Sequence, residues 1–242
     1  MRINQYLAKA GFGSRRSCEE LVTAGRVRVN GEVITELATK VGPEDLVQVG
    51  RKKVAPIAPI YVLFHKPRGA ICSAADEKGR RTIYDYLSDD WKGLRYVGRL
   101  DQDSEGLLLL TNDGSFIHGL THPKNDVEKE YLVSVDKSFD AKHLPRLLKG
   151  TLIEGKLARA KRVALNTPTT LRIILVQGIK RQIRVMLFRL GYETKRLKRE
   201  RLGPLTLGKL PAGAARLLTA KELHQLQTLA QPQGTSLKKT GF

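Results

Sequence analysis

Apolar residues recur at helical spacing from the start of the chain. Ile3, Leu7 and Ala8 fall on one face, and Gly11 and Gly13 interrupt the pattern. Ser14 stands where an N-cap is expected, ahead of a second helix that carries Cys18, Leu21 and Val22 and ends at Gly25. The period then shortens to that of a strand. Val27 and Val29 alternate with Arg26 and Arg28, Asn30-Gly31 is a hairpin turn signal, and Val47 and Val49 mark a further alternating strand. Residues 1–49 therefore read as a self-contained unit. From Gly50 to Pro59, Arg51, Lys52, Lys53, Pro56 and Pro59 replace any period, and the segment 50–59 reads as a linker.

A second unit is expected over 60–230. Strand-like runs cover Ile60 to Phe64, Tyr131 to Val135 and Leu171 to Val176, and helix-like ones cover Ala141 to Leu148, Arg181 to Leu190 and Ala220 to Leu229. No regular strand-helix-strand repeat appears, so the class expected is α+β, with a mixed, mainly antiparallel sheet and flanking helices. The polar tail 231–242 is expected to be disordered.

One stretch of the second unit stands out. Gly98-Arg99-Leu100-Asp101-Gln102-Asp103-Ser104-Glu105-Gly106 packs three carboxylates between two glycines, directly before the apolar run Leu107 to Leu110 and the turn Asn112-Asp113-Gly114. A four-residue apolar run closed by turn signals suits a buried strand. The acidic segment is then a loop fixed to a core element, where a scaffold holds functional groups in one geometry.

The balance of charge sharpens this. Lys and Arg number 43 against 24 Asp and Glu, a net charge of +19. Such a surplus on a folded protein points to a polyanion as partner, with nucleic acid ahead of an acidic membrane surface or an acidic protein. No apolar stretch approaches the ~18 residues of a membrane helix, and the N-terminus lacks the apolar core of a secretory signal. The expected location is the cytoplasm, without membrane association, and the default state is a monomer. Cys18 and Cys72 are the two cysteines, too few for a thiolate metal site or disulfide framework, and both are expected to be reduced and structural.

The helix, helix, hairpin order of residues 1–49, with Gly25-Arg26-Val27-Arg28-Val29-Asn30-Gly31 as its most specific stretch, resembles the S4 RNA-binding domain. The resemblance implies RNA contact through Arg15, Arg16, Arg26, Arg28 and Asn30. Arginines suit this because they neutralise phosphates and release counterions.

Four segments of the second unit occur in the order seen in the pseudouridine synthases of ribosomal RNA that carry an N-terminal S4 domain (the Rsu type), and the chain resembles that family over nearly its whole length. They are His65-Lys66-Pro67-Arg68-Gly69, Gly98 to Gly106, Glu128-Lys129-Glu130-Tyr131, and Gln177-Gly178-Ile179-Lys180-Arg181-Gln182-Ile183-Arg184. Arg201-Leu202-Gly203-Pro204-Leu205 and Arg216-Leu217-Leu218-Thr219 also fit. The resemblance implies isomerisation of a uridine, with no cofactor and no metal, and makes Asp101 the catalytic carboxylate. A carboxylate can serve as nucleophile at sugar or base, or as base toward a sugar proton, and the residues leave both open.

The same resemblance places Arg184 opposite Asp101, where a guanidinium would keep the carboxylate ionised beside RNA phosphates. It makes Tyr131 the active-site tyrosine, able to stack on an extruded uracil. Arg99 would fill the space the base leaves or hold a flanking phosphate. Lys195, Arg196, Lys198, Arg199 and Arg201 form a basic cluster expected to track RNA, in particular through Lys195, Lys198 and Arg199. The stretches Glu128 to Asp136 and Arg189 to Glu193 are similar to members acting on 23S RNA, and 16S members tend to have lysine at the position of Arg184. The expected partner is therefore ribosomal RNA, 23S ahead of 16S, free or in a ribosome assembly intermediate.

Other readings weigh less. Asp101, Asp103 and Glu105 alternate as magnesium ligands do, but the two glycines already explain the segment as a turn, with Asp103 and Glu105 binding backbone amides. His118 and His122 have helical zinc spacing without a Glu after His118 or a third ligand. Gly178 with Lys180 lacks the spacing of a phosphate loop. A non-enzymatic S4-type ribosome-assembly factor is the contrasting class, and a pure binder has no need of a carboxylate in a basic groove.

Overall fold

The computed structural model describes residues 1–74, 76 and 78–230. They form two compact units that divide after Ile60. The tail expected from Gln231 lies outside the described residues. Among the described residues no helix is long and apolar enough to cross a membrane.

The first unit packs α1 (Ile3–Lys9) and α2 (Arg15–Thr23) with strands β1 (Val27–Val29), β2 (Glu32–Ile34), β3 (Val47–Val49) and β4 (Lys52–Val54). The strands make an antiparallel sheet in the order β2-β1-β3-β4. Ser14 caps α2, its hydroxyl accepting from the Ser17 amide at 3.1 Å. Ile3, Leu7, Cys18, Val22, Val27 and Val47 supply the core, so the periodic positions of both helices and the alternating valines converge on one interior. The segment read as a linker differs from expectation. Lys52–Val54 pairs with β3, and the Tyr6 hydroxyl donates to the Val54 carbonyl at 3.2 Å. Two lysines on an edge strand hide its period and guard its open side against further pairing.

The second unit begins with β5 (Tyr61–Lys66), β6 (Arg95–Val97), β7 (Glu105–Thr111), α3 (Gly114–Thr121), β8 (Lys129–Val135) and α4 (Leu144–Lys149). It continues with β9 (Thr151–Ile153), β10 (Lys156–Ala158), β11 (Arg162–Thr167), β12 (Thr170–Leu175), α5 (Gln182–Phe188), β13 (Thr194–Leu202), β14 (Leu205–Thr206), β15 (Ala215–Leu217) and α6 (Ala220–Ala230). A nine-stranded sheet runs in the order β11-β12-β8-β13-β7-β5-β15, with β14 beside β13 and β6 beside β7. Its pairings are antiparallel except for β13 with β7, where Lys198 and Arg199 lie opposite Glu105 and Gly106. A separate hairpin joins β9 and β10.

Two apolar clusters flank this parallel seam. Alternate residues of β8 and β12 (Tyr131, Val133, Leu171, Ile173) face Ile183, Met186 and Leu187 of α5. Leu107 and Leu109 of β7 face Phe116 and Leu120 of α3 and Leu226 of α6. The tetra-leucine run is buried on both sides, with Leu107 to Leu110 all inaccessible, and this continuous burial explains its lack of alternation. Three elements depart from their expected form. The Asn112-Asp113-Gly114 turn opens α3, with Asp113 accepting from the amides of Ser115 and Phe116. The helix expected over 141–148 is a short 3₁₀ turn followed by α4, whose first turn holds Pro145. The basic cluster from Lys195 is strand β13, alternating buried and accessible positions from Leu197 to Glu200.

Candidate active site

The acidic loop is fixed by the backbone conformation of its first glycine and by buried polar contacts beneath it. Gly98 has φ +68°, a conformation glycine adopts without steric cost. The Gly69 amide donates to the Gln102 carbonyl at 2.8 Å, and the Ser104 amide to the Asp101 carbonyl at 3.0 Å. Beneath the loop lies Lys66, wholly inaccessible, whose Nζ donates to the carbonyls of Ser104 at 2.7 Å and Pro67 at 3.1 Å. Burial pushes the Lys66 ammonium down to about 8, against the opposing pull of Cys72, Asp101, Asp103 and Glu105.

The three carboxylates have three different fates. Asp103 receives Arg181, Nη1 to Oδ1 at 3.3 Å and Nη2 to Oδ2 at 3.2 Å, and its Oδ2 lies 3.2 Å from Arg184 Nε. Glu105 accepts from Arg196 Nε at 2.8 Å. Asp101, among the described residues, is in no ion pair. The expected contact of Arg184 with Asp101 is thus replaced by one with Asp103. Its other nitrogens donate to the carbonyls of Asp103 at 2.9 Å and Thr194 at 3.1 Å, so Arg184 ties the loop to the start of β13. Burial lowers the Arg184 pKa, with Asp103 the main opposing influence and Asp101 a smaller one. Asp103 and Glu105 bind guanidinium groups, not the backbone amides expected of them, because loop residues two apart here point to different basic elements.

Asp101 opens on a cleft of about 390 Å³ whose walls include Arg99, Lys129, Tyr131, Lys180, Arg181 and Arg199, over an apolar base of Leu175, Ile183 and Leu197. Arg184 is not in that wall. Tyr131 is 8% exposed on the buried face of β8. Arg199, expected as a surface RNA contact, is 2% exposed and donates from Nε to the Leu107 carbonyl at 2.7 Å. Its place on the seam opposite Gly106 turns it inward. Lys129 was not among the expected site residues, although the Lys-Glu-Tyr spacing that places it and Tyr131 on one face of a strand was a usable signal. It donates to the carbonyls of Val176 at 2.9 Å and Val127 at 3.0 Å, and burial, reinforced by the charge of Arg199, pushes it down to about 8.

The remaining expected contacts divide by whether their side chains are already engaged within the protein. Arg15, Arg16, Arg26 and Arg28 are exposed on the first unit, with Arg28 Nη1 donating to the Gly31 carbonyl at 2.9 Å. Asn30 is committed to structure instead. At φ +53° it donates to Asp45 at 2.8 Å and accepts from the Leu46 amide at 2.9 Å. Lys195 pairs with Glu193 at 2.8 Å and Lys198 lies 3.8 Å from Glu200. Arg201 pairs with Glu130 and Glu128 at 2.8 and 3.0 Å. The β13 cluster is therefore largely neutralised by its own protein. Among the described residues no three His, Cys, Asp or Glu groups are placed to hold a metal ion. The rings of His118 and His122 are 5.0 Å apart, with His122 Nδ1 accepting from the Lys124 amide.

A small two-helix module with exposed arginines, joined to a mixed sheet whose central loop presents to a cationic cleft a carboxylate in no ion pair among the described residues, is the architecture of a nucleic-acid-modifying enzyme. Residues 60–188 match the family described as RNA pseudouridylate synthase, and residues 1–47 match the S4 domain. The chain belongs to the RNA pseudouridine synthases that carry an N-terminal S4 domain. It is 41% identical over 236 residues to the ribosomal large subunit pseudouridine synthase B of Bacillus subtilis, covering 95% of this chain and 96% of that one. It is 35% identical over 241 residues to the dual-specificity RNA pseudouridine synthase RluF of Escherichia coli, covering 98% and 82%. A crystal structure of a pseudouridylate synthase superposes with a TM-score of 0.69 at 27% identity, over 93% of this chain and 99% of that one.

Proposed function

We propose that this protein isomerises a specific uridine of ribosomal RNA, in the large-subunit 23S molecule, to pseudouridine, with Asp101 as the catalytic carboxylate. The observation that carries this reading is the contrast within one loop. Arginines take up Asp103 and Glu105, whereas Asp101, among the described residues, is left without an ion pair at the cleft that also holds Tyr131. A carboxylate kept free beside cations is available to a substrate, and a fixed loop holds it in one geometry.

The reaction breaks the bond between N1 of uracil and C1′ of the ribose, turns the base, and joins C5 to C1′. The proton leaves C5 and N1 gains one, so atoms and electrons balance without a co-reactant. Asp101 acts either as nucleophile or as base toward the sugar. A stacked base cannot rotate, so the uridine enters the cleft flipped from its helix or from an open loop, with the Tyr131 ring as its stacking partner. Lys129 and Arg199 line the cleft together with Asp101, and Lys66 lies beneath its loop, so the site that meets the RNA backbone is cationic. Arg184 acts through the loop it anchors. The large-subunit name of the Bacillus subtilis relative supports 23S as the target.

Pseudouridine mapping by carbodiimide labelling and primer extension tests this on unmodified 23S and 16S transcripts and on assembly intermediates. A new stop in 23S RNA with wild type, absent with Asp101→Ala, is expected. A stop that persists with Asp101→Ala removes Asp101 from the chemistry, and one confined to 16S RNA moves the substrate to the small subunit.

A further inference from the structure

The accessible cations of β13 are matched by carboxylates, but those of another face are not. Residues 141–162 contain a single acidic residue, Glu154, among seven lysines and arginines. Lys142 is taken by Asp140, and Lys161 and Arg162 by Glu128. Arg146 and Lys149 of α4, Lys156 of β10 and Arg159 beyond it are exposed and, among the described residues, in no ion pair. Arg189 joins them from the end of α5, its Nη1 donating to Thr151 Oγ1 at 2.7 Å and the Leu152 carbonyl at 2.6 Å, with no carboxylate partner among the described residues. Arg146, Lys149 and Arg189 line a groove of about 270 Å³ over Leu147 and Met186. Next to Arg189, Phe188 is 76% exposed.

This face is continuous with the catalytic cleft. Gln177 lines the cleft, and its side chain accepts from the Arg159 amide at 3.1 Å and donates to the Leu157 carbonyl of β10 at 2.9 Å. Gln182, also in the cleft wall, donates to the Arg159 carbonyl at 3.2 Å.

We propose that the β9–β10 hairpin with the ends of α4 and α5 is a docking surface for the RNA strand that flanks the target uridine, its phosphates lying along Arg159, Lys156, Lys149, Arg146 and Arg189 and an unpaired base stacking on Phe188. The proposal rests on the reading of this protein as an RNA-modifying enzyme and names where, outside the cleft, its substrate is held. Like charges gathered without counter-charges repel one another, and a polyanion converts that repulsion into binding. An exposed aromatic ring beside guanidinium groups is the pattern that holds single-stranded RNA without reading its sequence. The surface would supply affinity and orientation, while the choice of base is made in the cleft.

The test compares full-length wild type with four full-length variants, two of them triple substitutions. One carries Arg146→Gln, Lys149→Gln and Lys156→Gln, and the control carries Lys92→Gln, Lys142→Gln and Lys161→Gln, three lysines that already have carboxylate partners. Filter binding to a 23S transcript from 50 to 300 mM KCl is expected to show the first variant weakened on the order of tenfold, with a log-log salt slope shallower by about two. The control is expected to track wild type. KM should rise with little change in kcat at saturating RNA. Phe188→Ala should weaken binding roughly tenfold even at high salt, where phosphate contacts are screened, and Phe188→Tyr should restore it. A first variant whose affinity and slope match those of the control overturns the proposal. Binding needs no turnover, so a wild type that binds but forms no pseudouridine overturns the enzymatic reading alone, whereas an active wild type with an unaffected first variant overturns this surface alone.

Discussion

The backbones of Gly106 and Arg199 pass so closely across the β7–β13 seam that a Cβ on Gly106 would lie 2.3 Å from the Arg199 carbonyl oxygen and 2.6 Å from its nitrogen. Gly106 also has φ +114°. The end of the acidic loop and the inward-turned cation of the cleft are thus set by one contact that only glycine permits. Gly106→Ala is expected to cost about 3 kcal/mol or more, combining backbone strain with overpacking that no side-chain movement relieves. Gly93, with nothing within 4 Å of its Cβ position, provides the comparison. Urea denaturation should separate the two, with Gly93→Ala close to wild type.

Arg184 binds the loop through its backbone and through Asp103, so its role depends on geometry as well as charge. Arg184→Lys keeps the charge and loses the two carbonyl contacts to Asp103 and Thr194. A fall in kcat of tenfold or more is expected with RNA affinity nearly unchanged, because the carboxylate of Asp101 moves with its loop. Asp103→Asn should lower stability by about 1–3 kcal/mol, since it leaves the half-buried Arg184 guanidinium without its counter-charge. Equal kcat for wild type and Arg184→Lys would remove Arg184 from the positioning of Asp101.

Two lysines around the cleft are displaced toward neutral pH. Lys66 and Lys129 are each pushed down to about 8 by burial. As pH rises through 8 both lose charge, so kcat/KM should decline on the alkaline side while RNA binding weakens. Lys129→Arg keeps a cation there to much higher pH and should move part of that decline upward. Stability responds in the opposite sense. Between about 8 and the unperturbed lysine value of 10.5, the unfolded chain binds more protons than the folded one, so the contribution of Lys66 to folding rises with pH. Below 8 the cost of its buried charge is fully present. Urea titrations at pH 7, 8 and 9.5 should show wild type gaining on Lys66→Met across that window.

Asn30 tests the first unit. Its left-handed backbone and its two side-chain bonds to Asp45 and Leu46 make it a structural clasp between the β1–β2 turn and the approach to β3. Asn30→Ala is expected to cost about 1–2 kcal/mol, from the lost hydrogen bonds and the unfavourable φ. RNA affinity should stay within twofold at temperatures where the variant remains folded. A large loss of affinity without loss of stability would return Asn30 to the RNA contacts.

Local signals in the sequence were enough for the first unit's helices, for its Ser14 cap and valine alternation, and for the second unit's strands at Tyr61, Lys129 and Thr170. Each depends on a period of two or 3.6 residues that solvent imposes on one face. The order of the motif segments, from His65 to Arg184, was enough for the family. Pairing across the fold lay beyond such signals. The strand Lys52–Val54 was hidden because an edge strand facing water needs no apolar period. Which carboxylate of the acidic loop meets Arg184, and whether Lys195, Lys198 and Arg199 are free, paired or buried, depended on β13 lying parallel to β7 and antiparallel to β8. The sequence by itself determined the elements, the charge surplus and the chemistry available. Only the tertiary structure decided which charges cancel, because an ion pair is set by distances between residues as far apart as Asp103 and Arg184, and no local rule carries that information.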